Sequence, residues 1–367
     1  MSIGKKIFLM ILAIVGLTVG AGALYATTVL NYSTDSFSKT FKSIEGQRED
    51  HVIEATEPLT VLLMGVDMDQ VSRGGNWEEG RSDSMILVTV NPRSQKTTMV
   101  SLTRDIMVEI ANADGSSSGT VEKLNHSYSY GQAPMAIATV EKMLDIDINR
   151  YVEINMDGLI ELVDAIGGIT VNNTLGFPIS ISEYEPAYTA VVDPGEQHVN
   201  GNQALVYSRM RYDDPEGDIG RQKRQREVIQ AIVKKLLNLD GITQYKPILD
   251  AISNNMRTNV SITPASFPGL LGYQDSLKTI ETYQLVGESQ MIDGLSYQIP
   301  TSEELLNIQN TIKTSLDLPT SAELKTNVRV SMTATPISVV NAYTNLSGMT
   351  ISAGEGVGST GFDGSQQ

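Results

Sequence analysis

The sequence contains no cysteine and only three histidines, His51, His126 and His198, in 367 residues. The first absence excludes a disulfide framework, a thiolate zinc site and a cysteine nucleophile. So few histidines argue against a multi-histidine metal centre. Positive charge is also short: 27 Lys and Arg stand against 43 Asp and Glu, a formal net charge of -16. A field of that sign repels nucleic acid and anionic surfaces, which excludes broad-surface binding to either. No internal repeat or proline-rich linker interrupts the stretch from Pro58 to about Thr335. That stretch reads as one domain, and 41% hydrophobic content supports a sizeable core.

What is present begins with an apolar run. Ile7 to Leu30 carry no charge, and 24 residues at ~1.5 Å each extend about 36 Å as a helix, against a hydrocarbon core of roughly 30 Å. Lys5 and Lys6 precede the run and Asp35 is the first charge after it. The positive-inside rule therefore makes 1–6 a cytoplasmic tail, 7–30 a transmembrane anchor, and everything after it extracellular. Ala21-Gly22-Ala23 looks like a signal-peptidase site, but the run is longer than a cleaved signal's apolar region, so an uncleaved signal-anchor is expected. Residues 31–57 read as a polar stalk, and the Gly/Ser-rich residues 336–367 as a disordered tail. A DNA-binding regulator is excluded, because this topology places the only basic stretch across the membrane from DNA.

Within 58–335 the pattern is α/β. Leu59 to Val66, Ser84 to Asn91 and Thr97 to Leu102 are short apolar runs with turn signals between them, predicting buried strands, the second and third as a hairpin. Ala133 to Ile146, with Pro134 in its first turn, predicts a helix. Tyr151 to Asn155 predicts a strand, followed by a helix with Asp157 as N-cap, Gly167-Gly168 as its stop, and a strand through Ile169 to Val171. Arg221 to Leu239 shows the amphipathic spacing of a long helix through Val228, Ile229, Ile232, Val233, Leu236 and Leu237. Ile242 to Met256 and Phe267 to Ile280 read as more helix and loop on the same sheet.

Six basic residues fall between Arg209 and Arg226. Arg221 and Arg224 begin the stripe that continues as Val228 and Ile232. Cations at a helix N-terminus are mildly unfavourable unless an anion joins them. The alternative is local pairing with Asp213, Asp214, Glu216 and Asp218, which is the expectation for Lys223 and Arg226, off the stripe. Arg209, Arg211, Arg221 and Arg224 are the better phosphate candidates, since a guanidinium fork matches phosphate oxygens. Asp67 and Asp83 stand at strand ends where α/β proteins build sites, and oxygen donors without His or Cys suit Mg2+ or Mn2+. Arg104, Asp105, Lys123 and Asn125 follow at neighbouring loops.

GVD, GRSDSMILVTVNP, SLTRD, KLNHSYSYG, YVEINMDGLIELVDAIGGITV, PGEQHVNGNQALVYSRMR and GDIGRQKRQREVI occur in that order. With these motifs, from about Pro58 to Tyr297, the chain resembles the LytR-CpsA-Psr family of cell-wall glycopolymer ligases, close to the streptococcal LytR type. The resemblance implies an α/β/α sandwich with a central mixed sheet, preceded by one transmembrane helix. It also implies transfer of a teichoic acid, capsular or rhamnose-rich polymer from undecaprenyl pyrophosphate to a muramic acid hydroxyl of peptidoglycan, as a phosphodiester. The implied pyrophosphate-binding residues are Arg81, Arg104, Arg209, Arg211 and Arg221 with Gln225, joined by Lys123, and the implied metal ligands are Asp67 and Asp83. Arg104, Arg221 and Asp105 are the expected catalytic residues, with Asp105 orienting Arg104 or taking a proton. A lipid-linked glycan pyrophosphatase and a non-catalytic carrier remain alternatives. His126, where family members carry a small residue, reads as tolerated variation.

Overall fold

The computed structural model describes residues 56–68, 76–237, 253–260, 272–331 and 342–345, with Lys42 and Ile248. The expected cytoplasmic tail and anchor, and nearly all of the stalk and C-terminal tail, lie outside the described residues. Among the described residues no helix is long and apolar enough to cross a membrane.

Three antiparallel strands come first: β1 (Leu59–Asp67), β2 (Arg81–Asn91) and β3 (Lys96–Leu102). A hairpin, β4 (Met107–Ala111) and β5 (Ser117–Lys123), leads into α1 (His126–Leu144), β6 (Arg150–Asn155), α2 (Met156–Ala165) and a second hairpin, β7 (Ile169–Asn173) and β8 (Gly195–Val199). Then come α3 (Gly201–Arg209), α4 (Asp218–Leu237), β9 (Met256–Thr258) and β10 (Thr279–Leu285). The third hairpin, β11 (Glu288–Ile292) and β12 (Leu295–Ile299), precedes α5 (Ser302–Ser315), and β13 (Ala342–Asn345) comes last. The central sheet is mixed, ordered β13-β10-β3-β2-β1-β6-β9, with β1–β6 and β3–β10 parallel and the other neighbours antiparallel.

Alternation along β1 divides the core. Leu62, Met64 and Val66 face α1 and α5, whereas Leu59, Val61 and Leu63 face the layer that includes Ile229 and Val233 of α4. Helices thus cover both faces of an α/β sheet. The carboxyl ends of β1, β3 and β6 and the amino end of β2 meet at one edge, where open α/β sheets place their ligands.

Local signals explain most elements. Asn155, rather than Asp157, caps α2: its side chain accepts from the Gly158 amide, while Asp157 lies inside the first turn. Gly167 and Gly168 stop that helix at φ +76° and +80°, a left-handed pair that only glycine adopts freely. The helix expected from Ala133 begins earlier, as one turn from His126 that breaks at Gly131–Gln132 before Pro134 opens the longer piece. Within the two segments expected to be helix and loop, Ile248 is helical and residues 253–255 form a turn, as expected, whereas Met256 opens strand β9 and Gln274–Lys278 form a 3-10 helix followed by strand β10. Four residues of the expected disordered tail, Ala342–Asn345, form an edge strand on β10, because a sheet edge leaves N–H and C=O groups open to pairing.

Glu153 on β6 is 2% exposed, with Arg257 opposite it on β9. Burial pushes its carboxyl up to about 7, against the pull of Arg257 and Lys42. A raised carboxyl pKa means that the folded state holds a proton the unfolded state has released, so this group's contribution to stability is fully present below pH 4.5 and is lost as pH rises through 7. Glu153→Gln should flatten this dependence and leave the protein on the order of 3 kcal/mol more stable at pH 8, measured by urea unfolding between pH 4.5 and 8.

Candidate active site

The site edge is built from an irregularity. Gly65 pairs with Ser84 but Val66 pairs with Ser82, which leaves Asp83 unpaired as a β-bulge. Successive residues of a regular strand point to opposite faces, yet Asp83 and Ser84 both line the same cavity. Across the edge, Arg104 follows β3 and donates from Nη1 to Asp83 Oδ1 at 2.6 Å. Asp67 closes β1 and lines the same cavity. Arg81 lies opposite Asp67 in the ladder, exposed and outside the cavity lining.

The cavity holds about 450 Å³ between the sheet and helices α2 and α4, with Leu63, Ile86, Ile154, Leu159, Val228 and Ile232 among its apolar walls. Its rim is ionic: Arg104, Arg209, Arg211 and Arg221 with Asp67 and Asp83. Sequence spacing alone did not identify these walls, since each of the residues also reads as ordinary core.

α3 brings Arg209 to the rim from its last turn. Asn200 and Gln203 form a capping box at the start of that helix, a signal present in the sequence as N-x-x-Q. Arg209 donates to Glu185 Oε2 from Nε and Nη2 at 3.0 and 2.7 Å, lies 3.8 Å from Asp67 Oδ2, and stacks on Tyr188 at 5.8 Å. Nothing in the local sequence marks Glu185, Tyr184 or Tyr188, which sit between β7 and β8 without periodicity. Arg211 stacks on Tyr212, 4.5 Å from the ring centroid. Gln225 Oε1 accepts from Ser84 Oγ at 3.0 Å.

Arg221 is 6% exposed, with Nη2 2.6 Å from Asp218 Oδ1 and 3.4 Å from the Asp83 carbonyl. Burial lowers its pKa, reinforced by the positive charges of Arg104 and Arg211, and Asp218 and Asp83 restore only part of the loss. A guanidinium does not deprotonate in practice, so this is a cost of holding the cation, relieved by an added anion. Burial also works against the Asp83 carboxylate, but Arg104, Arg221 and Arg209 hold it below the usual range. Arg104 moves the other way: burial opposes its charge, and Asp83, Asp105 and Asp218 over-compensate. Among the described residues, Arg104 Nε and Arg221 Nε are buried donors without a hydrogen-bond acceptor.

Arg224, Arg226 and Lys123 differ from expectation. Arg224 does not reach the rim: it is buried, paired with Asp214, and donates to the carbonyls of Tyr207 and Met210. Gly220 leaves room for that carboxylate, since a Cβ there would run into Asp214. Arg226, expected on a solvated face, is 8% exposed and donates to Ser101 Oγ at 2.6 Å and Gln284 Oε1 at 3.3 Å, because α4 lays this side against β3 and β10. Lys223 pairs with Glu216 at 2.6 Å on the surface, as expected. Lys123 does not line the cavity; its Nζ binds Asp105 Oδ1 at 2.9 Å on the far side of Arg104, which lies 3.8 Å from Asp105. His126 meets Glu122 at 3.1 Å.

Asp67 and Asp83 are hard oxygen donors on one rim. Two carboxylates completed by substrate phosphates and water are an ordinary Mg2+ set, so these residues fit that ion. Among the described residues no group of three or more His, Cys, Asp or Glu side chains that could hold a metal ion exists.

The two buried arginines should respond oppositely to truncation. Arg224→Ala strands the Asp214 carboxylate, whose side chain is 2% exposed, and should cost about 3–5 kcal/mol in urea unfolding. Arg221→Ala removes a cation held at a cost and leaves Asp218 partly solvated at 29%, so unfolding should be nearly unchanged while affinity for inorganic pyrophosphate falls. A collapse in stability for Arg221→Ala would instead make it a structural pin.

Residues 25–314 match the LytR_cpsA_psr family. The chain is 54% identical over 329 residues to biofilm regulatory protein A of Streptococcus mutans serotype c, covering 89% of this chain and 81% of that protein. It is 42% identical over 322 residues to the polyisoprenyl-teichoic acid–peptidoglycan teichoic acid transferase TagU of Enterococcus faecalis, covering 86% and 99%. Among solved structures it resembles protein gbs0355 of Streptococcus agalactiae, at 53% identity and TM-score 0.73 over 77% of this chain and 96% of that one. TagT bound to LIIa-WTA aligns at 26% identity and TM-score 0.61 over 75% and 97%. A family match over residues 25–314, with a relative 54% identical over 89% of this chain, makes this protein a member of the LytR-CpsA-Psr family.

Proposed function

We propose that this protein transfers a glycopolymer from a polyprenyl pyrophosphate carrier to peptidoglycan, as a phosphodiester on a muramic acid hydroxyl. One observation carries the reading: buried guanidinium donors without acceptors, Arg104 Nε and Arg221 Nε, stand at the mouth of an apolar cavity. A ligand suited to both is an amphiphile with a long hydrocarbon tail and a pyrophosphate head. The names of the TagU relatives and the WTA-bound TagT structure support a polymer of the teichoic acid kind. In this reading residues 7–30 anchor the chain in the cytoplasmic membrane with the domain outside, where such donors and peptidoglycan meet.

The cavity takes the prenyl chain, and Arg104, Arg209, Arg211 and Arg221 bind the two phosphates, with Gln225 and Arg81 at the periphery. Glu185 and Asp218 hold Arg209 and Arg221 in place and yield to phosphate oxygens. The acceptor oxygen forms a bond to the sugar-bearing phosphorus, and the bridging P–O bond breaks with its electron pair going to prenyl phosphate. That leaving group is already acidic and needs no proton; the hydroxyl's proton goes to Asp105. Phosphoryl transfer depends on such positioning and charge neutralisation, and one placed arginine is worth ~10³–10⁵ in rate. Asp67 and Asp83 would hold Mg2+ or Mn2+, which when bound adds further neutralisation of the phosphate oxygens.

The test uses the full chain in vesicles with a synthetic prenyl pyrophosphate-linked sugar, uncrosslinked peptidoglycan strands and Mg2+, with products followed by mass. A phosphodiester-linked sugar on the glycan should form, and Arg221→Ala should slow it by at least ~10³. Release of prenyl phosphate and sugar phosphate without a glycan product would identify a pyrophosphatase, and retained lipid without turnover a carrier. Asp67→Asn and Asp83→Asn should weaken the rate's dependence on Mg2+; wild-type rates with an unchanged Mg2+ response in both would remove the metal assignment.

A further inference from the structure

The transferase reading leaves open where the acceptor strand lies, and the structure carries a surface for it. In-line displacement places the attacking oxygen opposite the leaving group. The leaving prenyl phosphate belongs to the cavity on the α2 and α4 face, so the hydroxyl enters from the other side of the arginines.

That side is built around the Arg104–Asp105 turn. The Asn125 amide donates to the Arg104 carbonyl at 3.1 Å, which ties the start of α1 to the turn. The Gln298 amide donates to the Asp105 carbonyl at 2.9 Å, which ties β12 to it from the other flank. Between these elements Lys123 reaches Asp105 at 2.9 Å and lies over the Tyr297 ring at 5.8 Å. The single turn that opens α1 then presents His126, about a third exposed, and Tyr130, 56% exposed, with ring centroids 6.3 Å apart. That turn ends where Gln132 adopts φ +54°, a left-handed conformation costly for a non-glycine residue. Asn125 is 7% exposed, and its side-chain oxygen is a buried acceptor without a donor among the described residues.

We infer that Lys123, His126 and Tyr130 form the acceptor subsite, where a linear, carboxylate-bearing glycan strand packs a sugar ring on Tyr130 and sets a carboxylate near Lys123. The exposed ring offers an apolar face with a polar edge, which suits a pyranose. Lys123 supplies a point charge for a carboxylate. The surface runs continuously into Asp105, the group assigned the hydroxyl's proton. A strand bound here presents its primary hydroxyl to the phosphorus from the side opposite the cavity.

The inference rests on the transferase reading, and the experiment separates the two. Initial rates are measured on the full chain in vesicles at saturating prenyl pyrophosphate-linked sugar, while the concentration of uncrosslinked strands is varied. Tyr130→Ala should raise KM for the strands about three- to tenfold, with kcat and the affinity for prenyl pyrophosphate unchanged. Tyr130→Phe, which keeps the ring, should retain the wild-type KM, and His126→Ala should raise it in the same direction as Tyr130→Ala. An unchanged acceptor KM in Tyr130→Ala, with wild-type transfer intact, would overturn the surface alone. Failure of the wild type to transfer would sink the transferase reading and this surface with it.

Discussion

The buried guanidinium of Arg224 holds the rim of the cavity in register. It satisfies two carbonyls at the end of α3, those of Tyr207 and Met210, and the Asp214 carboxylate in the turn between helices. One side chain on α4 thereby fixes how α3 ends and how the chain turns back. Arg209 is the last residue of α3 and Arg221 lies in the first turn of α4, so the spacing of two cavity-lining arginines follows from a third that stays outside the cavity lining. An ion pair sealed from water favours one geometry because the alternatives leave a buried charge unmatched.

The opposite wall depends on a single unpaired residue. Without the bulge at Asp83, the alternation of β2 would send Asp83 and Ser84 to different faces. The bulge turns both to the cavity and lets Arg104 cross from β3 to bind Asp83. The result is a rim where three of the four arginines are met by an acid, Arg104 by Asp83, Arg209 by Glu185 and Arg221 by Asp218, while Arg211 stacks on Tyr212. These pairs hold the guanidinium groups in place before any ligand arrives, which lowers the reorganisation needed on binding. The balance is incomplete at Arg221, where burial lowers the pKa by more than the acidic partners restore.

The catalytic edge also separates two kinds of surface. On one side lies an apolar cavity enclosed by α2 and α4; on the other lies a polar, partly aromatic surface made by β5, the first turn of α1 and β12. Asp105 and Lys123 stand between them. A sheet edge is a natural place for such a division, because strand ends deliver loops to both faces from one line of backbone.

The sequence by itself determined the fold class and the local elements whose signals are short-range. β1, β2, β3 and β6 were legible as apolar runs, α4 as a 3.6-residue stripe, and Gly167-Gly168 as a stop, because each reflects backbone and burial constraints acting over a few residues. The acidic and basic residues of the site were also legible as types at loop positions. Their partners were not. Arg221 and Arg224 share a stripe and look equivalent in the chain, yet one lies at the rim and the other bonds to Asp214 and two carbonyls. Arg226 seemed solvated until α4 docked on β3 and β10, and Glu185 carried no signal because it acts only through a fold-dependent meeting with Arg209. Tertiary structure decided these roles for one reason: the worth of a charge is set by what surrounds it, and those neighbours are brought in from distant parts of the chain.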